Sequence, residues 1–233
     1  MLEDSFEALT KYDWGTDRAL LAPIEDAVAA AHGNAETQKK LEVFLISALK
    51  SDISRDAKDY VCRKLAIVGT AASVPTLAPL LTDEKHSHMA RFALESMPAA
   101  EAGQALRDAL SKTSGNLQIG VISSIGARRD AASVPALAQL IKDSNASIAR
   151  AAATALGDIG NSEAAQALQS AKPSAEAQQA VVDAQLACAE ALLAANNAAQ
   201  ARKIYQSLAG GDQAKLIRLA ATRGMLACAA KNA

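Results

Sequence analysis

Few residues in this chain have types that could do chemistry, and their spacing argues against most of them. His86 and His88 form an H-x-H pair. Two residues apart on a helix, they point in different directions and share no metal well. No cysteine or third histidine stands beside them, so they are assigned to a turn and helix cap, and no metal is expected. Cys62, Cys188 and Cys228 lack CxxC spacing and a neighbouring histidine. Each lies in an Ala/Leu-rich run and reads as a small core residue. Their odd number argues against a disulfide framework. Ser123 and Ser124 have no histidine or carboxylate at a spacing that would activate them. The chain contains no GxSxG, P-loop, HExxH or Rossmann glycine pattern. No catalytic residue and no cofactor are assigned, and the chain is expected not to be an enzyme.

The elements that would position any site come from a repeat. The stretch Ala131 to Gly160 reads as two helices joined by a polar turn. Its opening, AASVP, occurs a second time at Ala71 to Pro75. Pro75 and Pro135 fall in a first helical turn, where a missing N–H costs nothing. Pro79 is expected to bend its helix. Similar pairs can be traced along all 233 residues, with a period of about 28 to 36 residues. One such pair cannot bury its apolar faces alone, whereas stacked pairs can. The expected fold is therefore all-α, a right-handed α-solenoid of about six to seven stacked antiparallel helix pairs. It is read as one domain: an amino-terminal cap unit over 1–33, the clearest repeats over 34–160, and degenerate units over 161–233.

Composition agrees. Half of the residues are hydrophobic but only 3% are aromatic, and alanine makes up roughly a quarter of the chain, well above ordinary usage. Such a core needs closely spaced helices meeting through small side chains. In the cap unit Leu2, Phe6 and Leu9 share one helix face. Asp17 or Thr16 is placed to cap the next helix. Trp14, the sole tryptophan, is expected to plug the open end of the first pair, with ligand stacking as the alternative.

The fifth unit carries the fullest pattern: Val134-Pro135, Leu137, Leu140-Ile141 and Asp143, then Arg150, Ala152, Ala155-Leu156-Gly157 and Ile159-Gly160. The third matches it through Val74-Pro75, Leu77, Leu80-Leu81, Asp83 and Arg91. These units resemble the HEAT repeat in its phycobilisome-lyase HEAT-like variant, within the armadillo-type solenoids. Gly69, Gly126 and Arg218 anchor weaker units. The last two units also read like tetratricopeptide repeats. The resemblance implies a binding scaffold and does not imply lyase activity. Arg91, Arg150 and Arg218 each follow a turn acid (Asp83, Asp143, Asp212) and are read as a structural ladder of Asp–Arg pairs. The alternative is a row binding phosphate or carboxylate.

Aligning the second helices of the pairs places Tyr60, Arg63, His88, Phe92 and Glu95 beside one another, whereas the fifth unit presents only Ser147, Ala151 and Thr154. Aromatics beside arginine have the composition of an interaction hot spot. Two readings stand: Tyr60 and Phe92 pack between repeats, or the five residues form a partner-binding site. The function expected is a non-enzymatic protein-interaction scaffold. The alternative is a HEAT-like enzyme, resembling an alkylpurine DNA glycosylase or a bilin lyase. Net charge is −1, with acidic Asp56, Glu95, Asp183 and Glu190 on the same helix faces, which disfavours a nucleic-acid partner. Residues 1–116 hold 13 Lys/Arg against 17 Asp/Glu, and residues 117–233 hold 11 against 8, or −4 and +3. The chain has no apolar run long enough to span a membrane and an acidic start without a signal-peptide pattern. A soluble monomer, or a module of a larger chain, is expected. The compartment is cytoplasmic by default, or periplasmic or secreted if a leader has been removed.

Overall fold

The structure is a computed structural model describing residues 2–210 and 213–231. The side chains of Leu2 and Phe6, and Asp212 with its expected place in the ladder, lie outside the described residues. Every regular element among the described residues is helical, so the all-α expectation holds. The chain divides into two compact units, residues 1–124 and 125–233.

In the first unit the helices are α1 (Leu2–Lys11), α2 (Ala22–Ala31), α3 (Ala35–Lys50), α4 (Arg55–Val68), α5 (Val74–Leu77), α6 (Ser87–Ser96) and α7 (Ala100–Leu110). Helix α8 (Gly115–Ala127) begins there. The first helices α1, α3, α5 and α7 touch in series, as do the second helices α2, α4 and α6. This two-layered order is the α-solenoid arrangement. Local sequence sets the helix starts. The Asn34 side chain accepts from Thr37 N–H at 3.1 Å, and Ser54 Oγ from Ala57 N–H at 3.0 Å, each satisfying an amide that the helix leaves open. Leu41, Leu45, Val61 and Leu65 fill the space between α3 and α4 and are fully buried or nearly so.

The second unit contains α9 (Val134–Leu140), α10 (Ala146–Ile159), α11 (Ser162–Ser170), α12 (Ala175–Ala194), α13 (Ala198–Ala209) and α14 (Lys215–Lys231). Its layers are α9 on α11, and α10 on α12 on α14. Asn145, Asn161 and Asn197 cap α10, α11 and α13. Gly160 ends α10 at φ 61°, a left-handed turn that glycine adopts without a steric penalty. The alanine content has a direct use here. A Cβ on Gly126 would stand 2.9 Å from Ala155 Cα, and one on Gly157 would stand 3.1 Å from Ala184 Cα. The second helices thus approach almost backbone to backbone.

Two expectations are corrected. Trp14 is no plug, being 90% exposed. Its turn is tied off by Asp13, whose carboxylate accepts from Trp14 N–H at 2.9 Å while its own N–H donates to Thr16 Oγ1 at 3.1 Å. That geometry throws the indole outward. Tyr12 is the buried aromatic instead, and its carbonyl accepts from Ser54 Oγ at 2.6 Å. The Asp–Arg ladder is also absent at the two pairs described. Asp83 and Asp143 accept backbone N–H groups within their own turns, from Lys85 and Asn145 at 2.8 Å each. Arg91 donates to Gly120 C=O at 3.0 Å, and Arg150 donates to Ser147 Oγ at 3.0 Å. A short aspartate is captured by the amides nearest to it before an arginine one or two turns away can compete. Where a bend was expected at Pro79, α5 stops at Leu77 and residues Ala78–Thr82 continue as a 3-10 helix. Cys62, Cys188 and Cys228 are buried free thiols. No helix among the described residues is long and apolar enough to cross a membrane.

Candidate partner-binding site

Helices α2, α4 and α6 of the first unit lie side by side and carry the residues singled out above. Position 60 and position 63 are one helical turn apart on α4, and positions 88 and 92 are one turn apart on α6, so each pair shares a face. The Arg63 guanidinium lies 5.4 Å from the centre of the Phe92 ring, a cation–π contact. Its Nε is held by Asp59 Oδ2 at 2.7 Å. Phe92 nevertheless remains 41% exposed. His88 Nδ1 sits 3.4 Å from an Arg91 Nη. His86 turns to Asp83 Oδ1 at 3.0 Å, so the two histidines of the H-x-H pair serve different neighbours.

Tyr60 is held on every side. Its hydroxyl donates to Glu25 Oε1 at 2.9 Å, its ring meets Tyr12 at 6.1 Å between centroids, and Lys64 Nζ lies 4.9 Å above it. Lys64 also bonds Glu25 Oε2 at 2.7 Å. Partial burial pushes Glu25 up, but hydrogen bonds from Lys64 and Tyr60 outweigh it and hold the carboxyl below its ordinary value. Burial, then the hydrogen bond to Glu25, pushes the Tyr60 hydroxyl well above the ordinary tyrosine range. Tyr60 therefore keeps its proton and acts as a donor rather than a base or nucleophile.

A groove of about 950 Å³ runs over this surface, lined among others by Trp14, Arg18, Glu25, Tyr60, Arg63 and His88. Tyr60, Arg63 and His88 are brought together as expected, with Phe92 joined through Arg63. Glu95 is not part of the cluster. Its Oε1 accepts from Ser124 Oγ at 2.5 Å, and Arg91 donates to the same hydroxyl at 3.2 Å. This places Glu95 in a polar link to α8. Gly120 makes that link possible, since a Cβ there would fall 2.7 Å from the Arg91 guanidinium carbon. Arg18 and Glu25 are groove residues that the sequence reading missed, and Trp14 entered it only through the ligand-stacking alternative. Extending the alignment of second helices to the first unit would have found Glu25. Nothing in the DWGT stretch gave the direction of the indole. Among the described residues no group of three histidine, cysteine, aspartate or glutamate side chains could hold a metal ion.

Residues 103–184 match the family model for HEAT repeats. Over those residues the chain is similar to HEAT repeats. The matched segment runs from α7 into α12 and takes in the whole Ala131–Gly160 stretch. Solved HEAT-like and armadillo folds are similar over long alignments at low identity. The HEAT-like repeats protein of Thermococcus onnurineus is 15% identical, with 100% of this chain and 98% of that chain covered and a TM-score of 0.49. A designed armadillo repeat protein is 18% identical over 79% of this chain and 98% of its own, with a TM-score of 0.41. Human deoxyhypusine hydroxylase is 17% identical over 98% and 96%, with a TM-score of 0.40. No protein curated for function matches the sequence.

Proposed function

We propose that this chain is a non-enzymatic scaffold that binds a protein partner in the groove of its first unit. One observation carries the reading. The indole of Trp14, 90% exposed, stands at the groove, and the Phe92 ring, 41% exposed, lies against Arg63 of its lining, while Glu25, Tyr60 and Lys64 there are already paired with one another. Large aromatics beside arginine are the residues that dominate binding energy at protein interfaces. The chain is sparing with aromatics, at 3%, yet several of them gather here. Tyr60 is the fixed floor of the groove. Trp14, Arg63 and Phe92 are the contact groups, and Arg18 supplies a positive charge to a carboxylate of the partner.

The test uses Trp14→Ala and Phe92→Ala. The partner captured by the wild-type chain is identified, and its affinity is then measured against each variant. The expected result is a loss of about tenfold or more for each, with the circular dichroism spectrum unchanged. Trp14 also reports directly, because it is the only tryptophan. Its emission should start near that of indole in water and move to the blue as partner is added. A captured partner that binds both variants as tightly as wild type, with no shift in Trp14 emission, refutes this site.

A further inference from the structure

Helix α14 in the second unit and helix α2, which borders the groove through Ala22, Glu25 and Asp26, present faces that match each other. Helix α14 buries Ile217, Ala221, Gly224 and Cys228, spaced i, i+4, i+7, i+11 for one side of a helix. Gly224 is required there, since its Cβ would fall 2.3 Å from the Tyr205 ring. The other side carries Leu216, Leu219 and Leu226, which are 78%, 55% and 69% exposed. Position 223 lies between them, so Arg223 sits in the middle of the stripe. Helix α14 also holds Lys215, Arg218 and Lys231, and it has no acidic residue.

Helix α2 is the counterpart. It turns Ile24 and Ala31 inward and leaves Ala22, Asp26, Ala29 and Ala30 exposed. Positions 22, 26, 29 and 30 share one face, with Asp26 at its centre. Asp26 has no hydrogen-bond or ion-pair partner among the described residues. The surrounding charge follows the same pattern. Residues 1–33 hold two Lys/Arg against seven Asp/Glu, and residues 198–233 hold six against one, or −5 and +5.

We propose that the exposed face of α14 receives α2 of a second copy of this chain, head to tail, with Arg223 opposite Asp26 and the three leucines lying over the alanines. Within the chain, second helices already stack on second helices, α10 on α12 on α14, and the contact proposed repeats that arrangement between molecules. Pairing of α14 with another α14 would set its four cations against four more, which opposes a symmetric dimer. A head-to-tail contact is heterologous, so each copy keeps one free α2 and one free α14, and growth continues unless a ring closes. This departs from the monomer expected from the sequence.

Sedimentation velocity on the full chain over a concentration series tests the proposal. Mass should rise with concentration at low salt and fall as salt screens the ends. Asp26→Arg and Arg223→Asp should each remain monomeric, with association weakened by about tenfold or more. Mixing the two variants should restore association, because every contact between unlike variants pairs opposite charges. A wild-type chain that stays monomeric at every concentration and salt overturns the proposal. So do two folded single variants that fail to associate when mixed. A monomeric wild type whose binding to anionic phospholipid vesicles is lost in Leu226→Glu would assign the α14 face to a lipid surface, which also overturns it.

Discussion

The repeats that begin AASVP at Ala71 and Ala131 share their first-helix sequence closely, yet they differ where it matters for function. Both open with a 3-10 turn, Ala71–Ser73 and Ala131–Ser133, and both enter an α-helix at Val74 or Val134. Ser73 and Ser133 are both buried, and each donates its hydroxyl to a carboxylate. The carboxylates come from different places. Ser73 leans on Glu42 of α3, which also accepts from Thr70 N–H at 2.6 Å, whereas Ser133 uses its near neighbour Asp130 at 2.5 Å. The first helices then part company at one residue. Pro79 ends α5 after Leu77, but Gln139 lets α9 run to Leu140. On the second helices, His88 and Phe92 of α6 stand where Ser147 and Ala151 stand on α10. The repeated part is frame, and the site sits on the part that does not repeat.

The largest effect should come from removing Glu42. Glu42→Ala strips Thr70 and Ser73 of their acceptor in a buried setting, and a loss of about 3 kcal/mol or more is expected in urea denaturation. Asp130→Ala in the other repeat should cost less, by about 1 kcal/mol or more, since its carboxylate serves Ser133 from only three residues away rather than tying two helices together. Equal costs for the two would erase the distinction drawn between them. Next comes Gln139→Pro, which should shorten α9 to the length of α5. It removes a helical N–H and crowds the preceding carbonyl, at about 3 kcal/mol, and helical ellipticity should fall with it. The reverse change, Pro79→Gln, should lengthen α5 while moving stability by no more than about 1 kcal/mol in either direction, because the longer helix gained is offset by a freer unfolded chain.

The smallest effect concerns the turn acid Asp83. Slight burial pushes it up, but the Lys85 N–H and the charge of His86 outweigh this and hold it below 3.8. A carboxyl whose folded value lies below its unfolded one stabilises the fold fully above the unfolded value. That contribution is lost as pH falls through the lower, folded value. Asp83→Asn should therefore flatten the acid limb of the stability–pH curve below pH 4, where the native turn still holds an ionised carboxylate. An unchanged limb would show that the turn draws nothing from that charge.

The helix pairs were legible in the sequence because they are local. Val134-Pro135 at a helix start and Gly160 at a stop each act within a few residues. Tyr60, Arg63 and His88 were legible because a repeat aligns positions that lie about 30 residues apart. What escaped was set by contacts that alignment does not rank. Glu25 finds Lys64 across two helices. Glu95 is drawn from the cluster by Ser124, only because Gly120 leaves room for Arg91. The direction of Trp14 depends on how one aspartate ties off a turn. The Asp–Arg ladder failed for a related reason, since spacing along a helix says who can meet but not which partner wins.

The buried thiols have a practical side. Burial pushes Cys62 and Cys188 up to about 12, and Cys228 is equally enclosed. Thiol-directed reagents attack the thiolate, so the folded chain offers them almost nothing at neutral pH. A single cysteine introduced as Trp14→Cys or Leu226→Cys would be the reactive one. Each of the two surfaces can then carry a spectroscopic label of its own without first stripping the native cysteines from the core.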